Sequence, residues 1–368
     1  MRVAILSYDF GEYCVRLASA LARLADVRLL LPQELAAPHL ACLDPCVDFQ
    51  PFHKPRLRQA GRQVRLAFHM LDQLKTFDPD VVHVQQGHLW FNGFLPLLRR
   101  YPLVLTAHDP RHHVGDRGGR KTPQAIVDFG FRRAAHLIVH ARQLKQVLVG
   151  ECGIAEEVVH VVPMIGLGHS HNLISSGSHR PRCRPTILFF GRIWEYKGLE
   201  YLIRAEPLIT AAVPGARIVI AGEGEDFARY RRLMTHPDHF TVLNEYVSEQ
   251  QCAELFQQAH VVVLPYTDAS QSAVIPIAYS FMKPVVATTV GGLPELVDDG
   301  LTGYLVPPRD ERALAAAIVR LLRDAPLRHQ MGVNGRRKLD EECSPAAVAN
   351  RTLAVYARAA NDPRSLRP

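Results

Sequence analysis

The sequence predicts an α/β protein made of two doubly wound, parallel-sheet domains. Short β-branched runs alternate with helical segments, the runs are apolar on both faces, and the alternation stops once and then restarts. The composition agrees. With 368 residues, 48% hydrophobic and 21% charged, the chain can fill two cores at roughly 100–200 residues per domain. The same fractions exclude collagen-like, disordered and coiled-coil proteins. No apolar run approaches the roughly 18–20 residues of a membrane-spanning helix.

In the first half the expected strands are Val3–Tyr8, Val27–Leu31, Val81–Gln85, Leu103–Ala107, Leu137–His140 and Val158–Val162. Helices Tyr13–Leu24, Val64–Lys75, Gln124–Ala135 and Arg142–Val149 lie between them. In Val64–Lys75, residues Val64, Phe68, Leu71 and Leu74 form the expected core stripe. The Gly/Ser/His/Pro-rich, aperiodic stretch over 169–185 reads as a linker. It separates domain 1–168 from domain 186–343. The second series has strands Thr186–Phe190, Arg217–Ala221, Thr241–Leu243, Val261–Pro265, Val285–Thr288 and Tyr304–Val306. Helices Glu311–Arg323, Leu327–Lys338 and Pro345–Ala359 follow. Such sheets take ligands at the carboxyl ends of their strands, where two sets of ends can face one crevice.

Charge is uneven. Residues 1–180 carry 21 Lys+Arg against 15 Asp+Glu, and the remainder 22 against 21, so the first half holds +6 of the net +7. A basic half suits an anionic partner. The densest stretch runs from Lys54 through Arg56, Arg58 and Arg62 to Arg65. It reads as the solvated face of a core-packed helix, with contact to an anionic membrane surface near a lipid-linked acceptor as the alternative. Nucleic acid is not expected, because the cations are dispersed and no aromatic motif interleaves them. The opening residues read as a strand and not as a signal peptide. With seven scattered Cys, this predicts a reduced, cytoplasmic setting.

Four strand-end loops carry the chemistry. Gly191-Arg192 through Lys197-Gly198 follows a strand and opens a helix: Gly191 permits a sharp turn, and two converging cations suit a diphosphate, with a surface loop of ordinary solvated charges as the alternative. Gln271-Ser272-Ala273-Val274 starts another helix after a strand, where free backbone N–H groups suit an anion. Glycines 222 and 224 flank Glu223 and allow close approach of a base or ribose. His108 projects from a first-half strand end, before Pro110. A metal site of His112 and His113 with Asp109 and Asp116, and a merely structural His108, are the competing readings there.

Together these loops resemble the retaining glycosyltransferases of family 4, which have the GT-B fold. The matching residues are Gly191-Arg192, Lys197-Gly198, Ala221-Gly222-Glu223-Gly224, Lys283-Pro284-Val285-Val286, Gly291-Gly292, Glu295 and Gly300 through Gly303, with Thr106, His108 and Asp109 in the first half. The resemblance implies transfer of a sugar from a nucleotide-diphosphate sugar (a UDP- or GDP-sugar) to a hydroxyl acceptor, with retention. Arg192 and Lys197 would hold the diphosphate, aided by the backbone at Ser272, Ala273 and Val274. Glu223 and Val247 would lie near the nucleoside, and His108 would face the sugar. No metal or other cofactor is implied, and the last helix would cross back to the first domain. The sequence departs from the family at two positions, where glutamates eight residues apart are usual and Ala269 and Ile277 stand instead. A nucleotide-sugar epimerase of similar fold and a non-catalytic sugar-nucleotide binder are the alternatives. A dehydrogenase would need Gly-x-Gly-x-x-Gly after the first strand, which is absent.

Overall fold

The computed structural model describes residues 1–112, 122–167 and 184–362. They fall into two compact units. The first holds residues up to 112, those from 122 to 165, and the terminal segment from 342; the second holds 166–341 where described.

In the first unit seven strands form one all-parallel sheet: β1 (Arg2–Ser7), β2 (Asp26–Pro32), β3 (Asp48–Phe52), β4 (Val81–Gln85), β5 (Leu103–Thr106), β6 (His136–Val139) and β7 (Val159–Val161). Their order is β3-β2-β1-β4-β5-β6-β7, so the direction of winding reverses between β1 and β4. Five of the six residues in β1 are buried, as expected of a central strand covered on both faces. Sequence reading misses β3. Its Asp-Phe-Gln-Pro-Phe has no β-branched residue, and it carries a proline that only an edge strand tolerates.

Helix α1 (Gly11–Leu21) follows β1, α2 (Gln33–Ala36) follows β2, and α3 (Ala60–Phe77) links β3 to β4. In α3 the buried stripe is Gln63, Ala67, Met70, Leu71 and Leu74, about one residue out of step with expectation. Phe68 is 57% exposed and meets Phe94 edge-on at 5.5 Å. Small Ala67 allows the close approach to the sheet, which turns the bulkier Val64–Phe68 edge outward. Helices α4 (Gln124–Arg133) and α5 (Arg142–Gly150) complete the series.

The second unit repeats the plan with β8 (Thr186–Phe190), β9 (Arg217–Ala221), β10 (Phe240–Leu243), β11 (Val261–Leu264), β12 (Val285–Thr288) and β13 (Gly303–Val306). The order is β10-β9-β8-β11-β12-β13, again all parallel, with the reversal between β8 and β11. The helices are α6 (Leu199–Ala212), α7 (Ala228–Arg231), α8 (Glu249–Gln258), α9 (Val274–Ser280), α10 (Leu293–Leu296), α11 (Glu311–Arg323) and α12 (Ala325–Glu342). The last helix, α13 (Pro345–Asn361), begins at Ser344, whose hydroxyl caps the Ala347 N–H at 3.3 Å. It returns to the first unit, packing on α1, β4 and β5 through Val348, Thr352, Val355, Tyr356 and Ala359. The expected linker falls outside the described residues, apart from its last two.

Candidate active site

Every sequence-predicted donor residue sits where the second sheet's strands end. Gly191 follows β8 with φ +111°, a conformation closed to most side chains. Its carbonyl lies against Gly222, where an added Cβ would stand 2.2 Å from that oxygen. Glycine at 222 therefore lets the β8 and β9 loops touch. Glu223 extends the same join through its backbone oxygen, which accepts the Ile193 N–H at 3.1 Å, and its residue is exposed.

Lys197 belongs to a cluster. Its Nζ sits 3.8 Å from the Tyr266 ring centroid and 5.0 Å from that of Tyr196, as a cation over aromatic faces. The Tyr266 hydroxyl meets Ser272 Oγ at 3.3 Å, and burial pushes its pKa up to about 12, so it stays neutral. Ser272 Oγ also accepts the Val274 N–H at 3.3 Å. The loop from β8 and the loop from β11 are pinned by the Thr267 N–H on the Tyr196 carbonyl at 2.8 Å. At position 198 (φ +61°) only glycine fits, because a Cβ there would strike the Pro265 carbonyl at 2.0 Å. Arg192 is exposed, its guanidinium 4.7 Å from the Trp194 ring centroid, with no carboxylate partner among the described residues.

The loop over 268–274 is built closely. A Cβ on Gly291 (φ +56°) would stand 1.6 Å from the Ala269 carbonyl, and the Gly292 N–H donates to the Ser270 carbonyl at 3.1 Å. Ala269 is buried and Ile277 half-buried, so neither offers a polar side chain. Gln271 Oε1 is buried without a hydrogen-bond partner, an acceptor that costs stability until a donor reaches it. Ala273 precedes α9 and is half-exposed. Val247 is half-buried beyond the edge strand β10, two strands from β8, next to Tyr246, which is 77% exposed. A cavity of about 460 Å³ opens at the ends of β9 and β10, lined by Gly224, Asp226, Phe227, Arg231 and Asn244 among others.

In the first unit His108 follows β5, 6% exposed, with its ring stacked on Phe10 at 3.9 Å. It is one link in a buried chain. His140 Nδ1 donates to the Val162 carbonyl at 2.9 Å, so its Nε2 accepts from His108 Nδ1 at 3.1 Å. Burial holds His108 well below the usual histidine range and His140 at about 4, so both rings are neutral. His108 Nε2 is then an acceptor, and Gln85 Oε1 stands 3.0 Å away, acceptor against acceptor. Rotating the Gln85 amide half a turn resolves the conflict: its NH₂ serves His108 and its oxygen accepts from His83. His83 Nε2 lies 2.7 Å from Thr106 Oγ1, and His83 Nδ1 accepts the Tyr356 hydroxyl at 2.6 Å. With that rotation, every group from Tyr356 on α13 to the Val162 carbonyl is paired and uncharged. Of the rival metal ligands, His113 and Asp116 lie outside the described residues, and His112 Nε2 faces the Thr122 carbonyl at 3.1 Å.

Sequence reading missed His88. It follows β4 at the winding reversal, stacks flat on Tyr8 at 3.8 Å, and has both ring nitrogens buried without a partner. The only sequence signal was a histidine just past a strand. It also missed Glu206, His236 and His239, whose carboxylate and imidazoles converge in the second unit.

Two family models match. "Glycosyltransferase Family 4" covers residues 11–164 and "Glycosyl transferases group 1" covers 184–324. The chain belongs to glycosyltransferase family 4. This family 4 chain is 31% identical to the α-D-kanosaminyltransferase of Streptomyces kanamyceticus over 176 residues, 47% of this chain and 45% of that one. An uncharacterized glycosyltransferase of Methanocaldococcus jannaschii is 33% identical over 172 residues, 46% and 44% of the two chains. The match thus spans a little under half the length of these two relatives. Anabaena HepE, solved with UDP-glucose, shares the fold: TM-score 0.71 at 16% identity, covering 97% of this chain and 100% of that one.

Proposed function

We propose that this chain transfers a sugar from a nucleotide-diphosphate sugar to a hydroxyl acceptor, with retention of configuration. The observation that carries the reading is the Lys197–Tyr266–Ser272 cluster at the winding reversal of the second sheet, where such folds take ligands. Lys197 and Arg192 supply two cations beside a loop whose buried Gln271 oxygen awaits a donor such as a sugar hydroxyl. The cavity beyond β9 and β10 suits the nucleoside, with Glu223 and Val247 at its approaches. HepE, a protein of the same fold, binds UDP-glucose.

The chemistry follows. The bond from the sugar's anomeric carbon to the diphosphate oxygen breaks, and its electron pair goes to that oxygen. Arg192 and Lys197 stabilise the charge where it develops, the role a metal plays in other transferases. The acceptor hydroxyl attacks from the same face and gives its proton to the departing phosphate, so configuration is kept and no protein nucleophile is needed. The acceptor belongs to the first unit, whose buried histidine chain fixes the β5 end at His108. A lipid-linked or glycan acceptor suits the basic first half. Exposed Phe68, one turn from exposed Arg65, gives α3 an amphipathic outer face for a membrane surface. Among the described residues no helix is long and apolar enough to cross a membrane.

The test incubates the chain with UDP- and GDP-sugars, with and without hydroxyl acceptors, and follows release of the nucleoside diphosphate. Acceptor-dependent release with formation of an α- or β-linked product matching the donor supports the reading. Isomerisation without acceptor would instead indicate an epimerase, and binding without turnover a sensor.

A further inference from the structure

The second unit holds a charge problem away from the donor loop. Glu206 on α6 is fully buried, and its side chain has three partners: Thr210 Oγ1 at 2.9 Å, His236 Nδ1 at 3.1 Å and His239 Nδ1 at 2.5 Å. No lysine or arginine nitrogen bonds to it among the described residues. A buried carboxylate is expensive unless its charge is matched, by protonated imidazoles or by a bound cation.

We propose that Glu206, His236 and His239 form a zinc site. Each residue offers one ligand atom, and the three atoms lie within 4.8 Å of one another. Two imidazole nitrogens and one carboxylate oxygen suit zinc, whereas magnesium and calcium prefer oxygen alone. Bonds of about 2.0–2.2 Å to a tetrahedral ion place its ligands roughly 3.3–3.5 Å apart, so each imidazole must move back from the carboxylate by about 1 Å or less. They can. Glu206 is held in a fourteen-residue helix, while His236 and His239 sit on a short turn with side chains 50% and 39% exposed. Water completes the shell from the solvent side.

Glu206 lies nine residues beyond Lys197, about 13 Å along the rise of a helix. The ion is therefore structural and takes no part in sugar transfer. It ties α6 to the turn that leads into β10, the strand carrying Val242 on the cavity wall. The site stands whether or not the transferase reading holds.

The experiment strips the full chain with a chelator, titrates it with zinc by calorimetry and repeats the thermal melt with zinc and with magnesium. One zinc per chain is expected, with the melting temperature raised by zinc and unmoved by magnesium. The double variant His236→Ala/His239→Ala, at surface positions, should keep its circular dichroism and lose at least tenfold in affinity. His236→Gln, which keeps a polar side chain, should also weaken binding if the double variant does not fold. Absence of zinc binding by the wild type would overturn the proposal. So would equal binding by the variants, which would place the ion elsewhere.

Discussion

The Lys197 ammonium rests on the face of Tyr266, a neutral ring that positions the cation at the end of β8. Lys197→Ala should lower turnover by about 10²–10³ with little change in the thermal melt, as its proposed role on the departing diphosphate requires. Turnover within a few-fold of wild type would remove that role. Tyr356 is the opposite kind of residue. Its hydroxyl feeds His83 from α13, so Tyr356→Phe should cost about 1–3 kcal/mol in urea unfolding by leaving a buried imidazole unpaired. The histidines themselves were visible in the sequence, but their chain was not. His83, His108 and His140 meet only because β4, β5 and β6 lie side by side. Glu206 and His236, thirty positions apart, were illegible for the same reason.

Among elements, the donor loops were the most legible. Gly191, Gly198, Gly222 and Gly291 each sit at positive φ and three of them press on a neighbouring carbonyl, so backbone geometry dictates the residue. Gly291→Ala should displace the 268–272 loop, because its Cβ would collide with Ala269. The expected result is loss of nucleotide-sugar binding that exceeds the loss of stability, read by calorimetry and thermal melts together. The outer elements were less legible. β3 carries a proline at the sheet edge, and the two apolar stripes of α3 overlap, so period alone could not decide which one packs.

For the molecule as a whole, buried neutral histidines set the response to acid. His83 titrates at about 3 and His140 at about 4 in the folded chain, below the usual 6.5. As pH falls through 6.5 the unfolded chain takes up these protons first, so stability drops from about pH 6.5 to about pH 4. Each histidine contributes about 1.4 kcal/mol per pH unit in that window, which urea midpoints at a series of pH values would record. A flat profile there would show that the rings are charged when folded. At the strand ends of the second sheet lies the proposed grip on a diphosphate. Calorimetric titration of wild type and of the Arg192→Ala/Lys197→Ala variant with UDP, GDP and the matching nucleosides tests it most directly. Wild type is expected to bind one diphosphate far more tightly than its nucleoside, and the variant to lose this difference. Equal affinity of the two proteins for the diphosphate would contradict it.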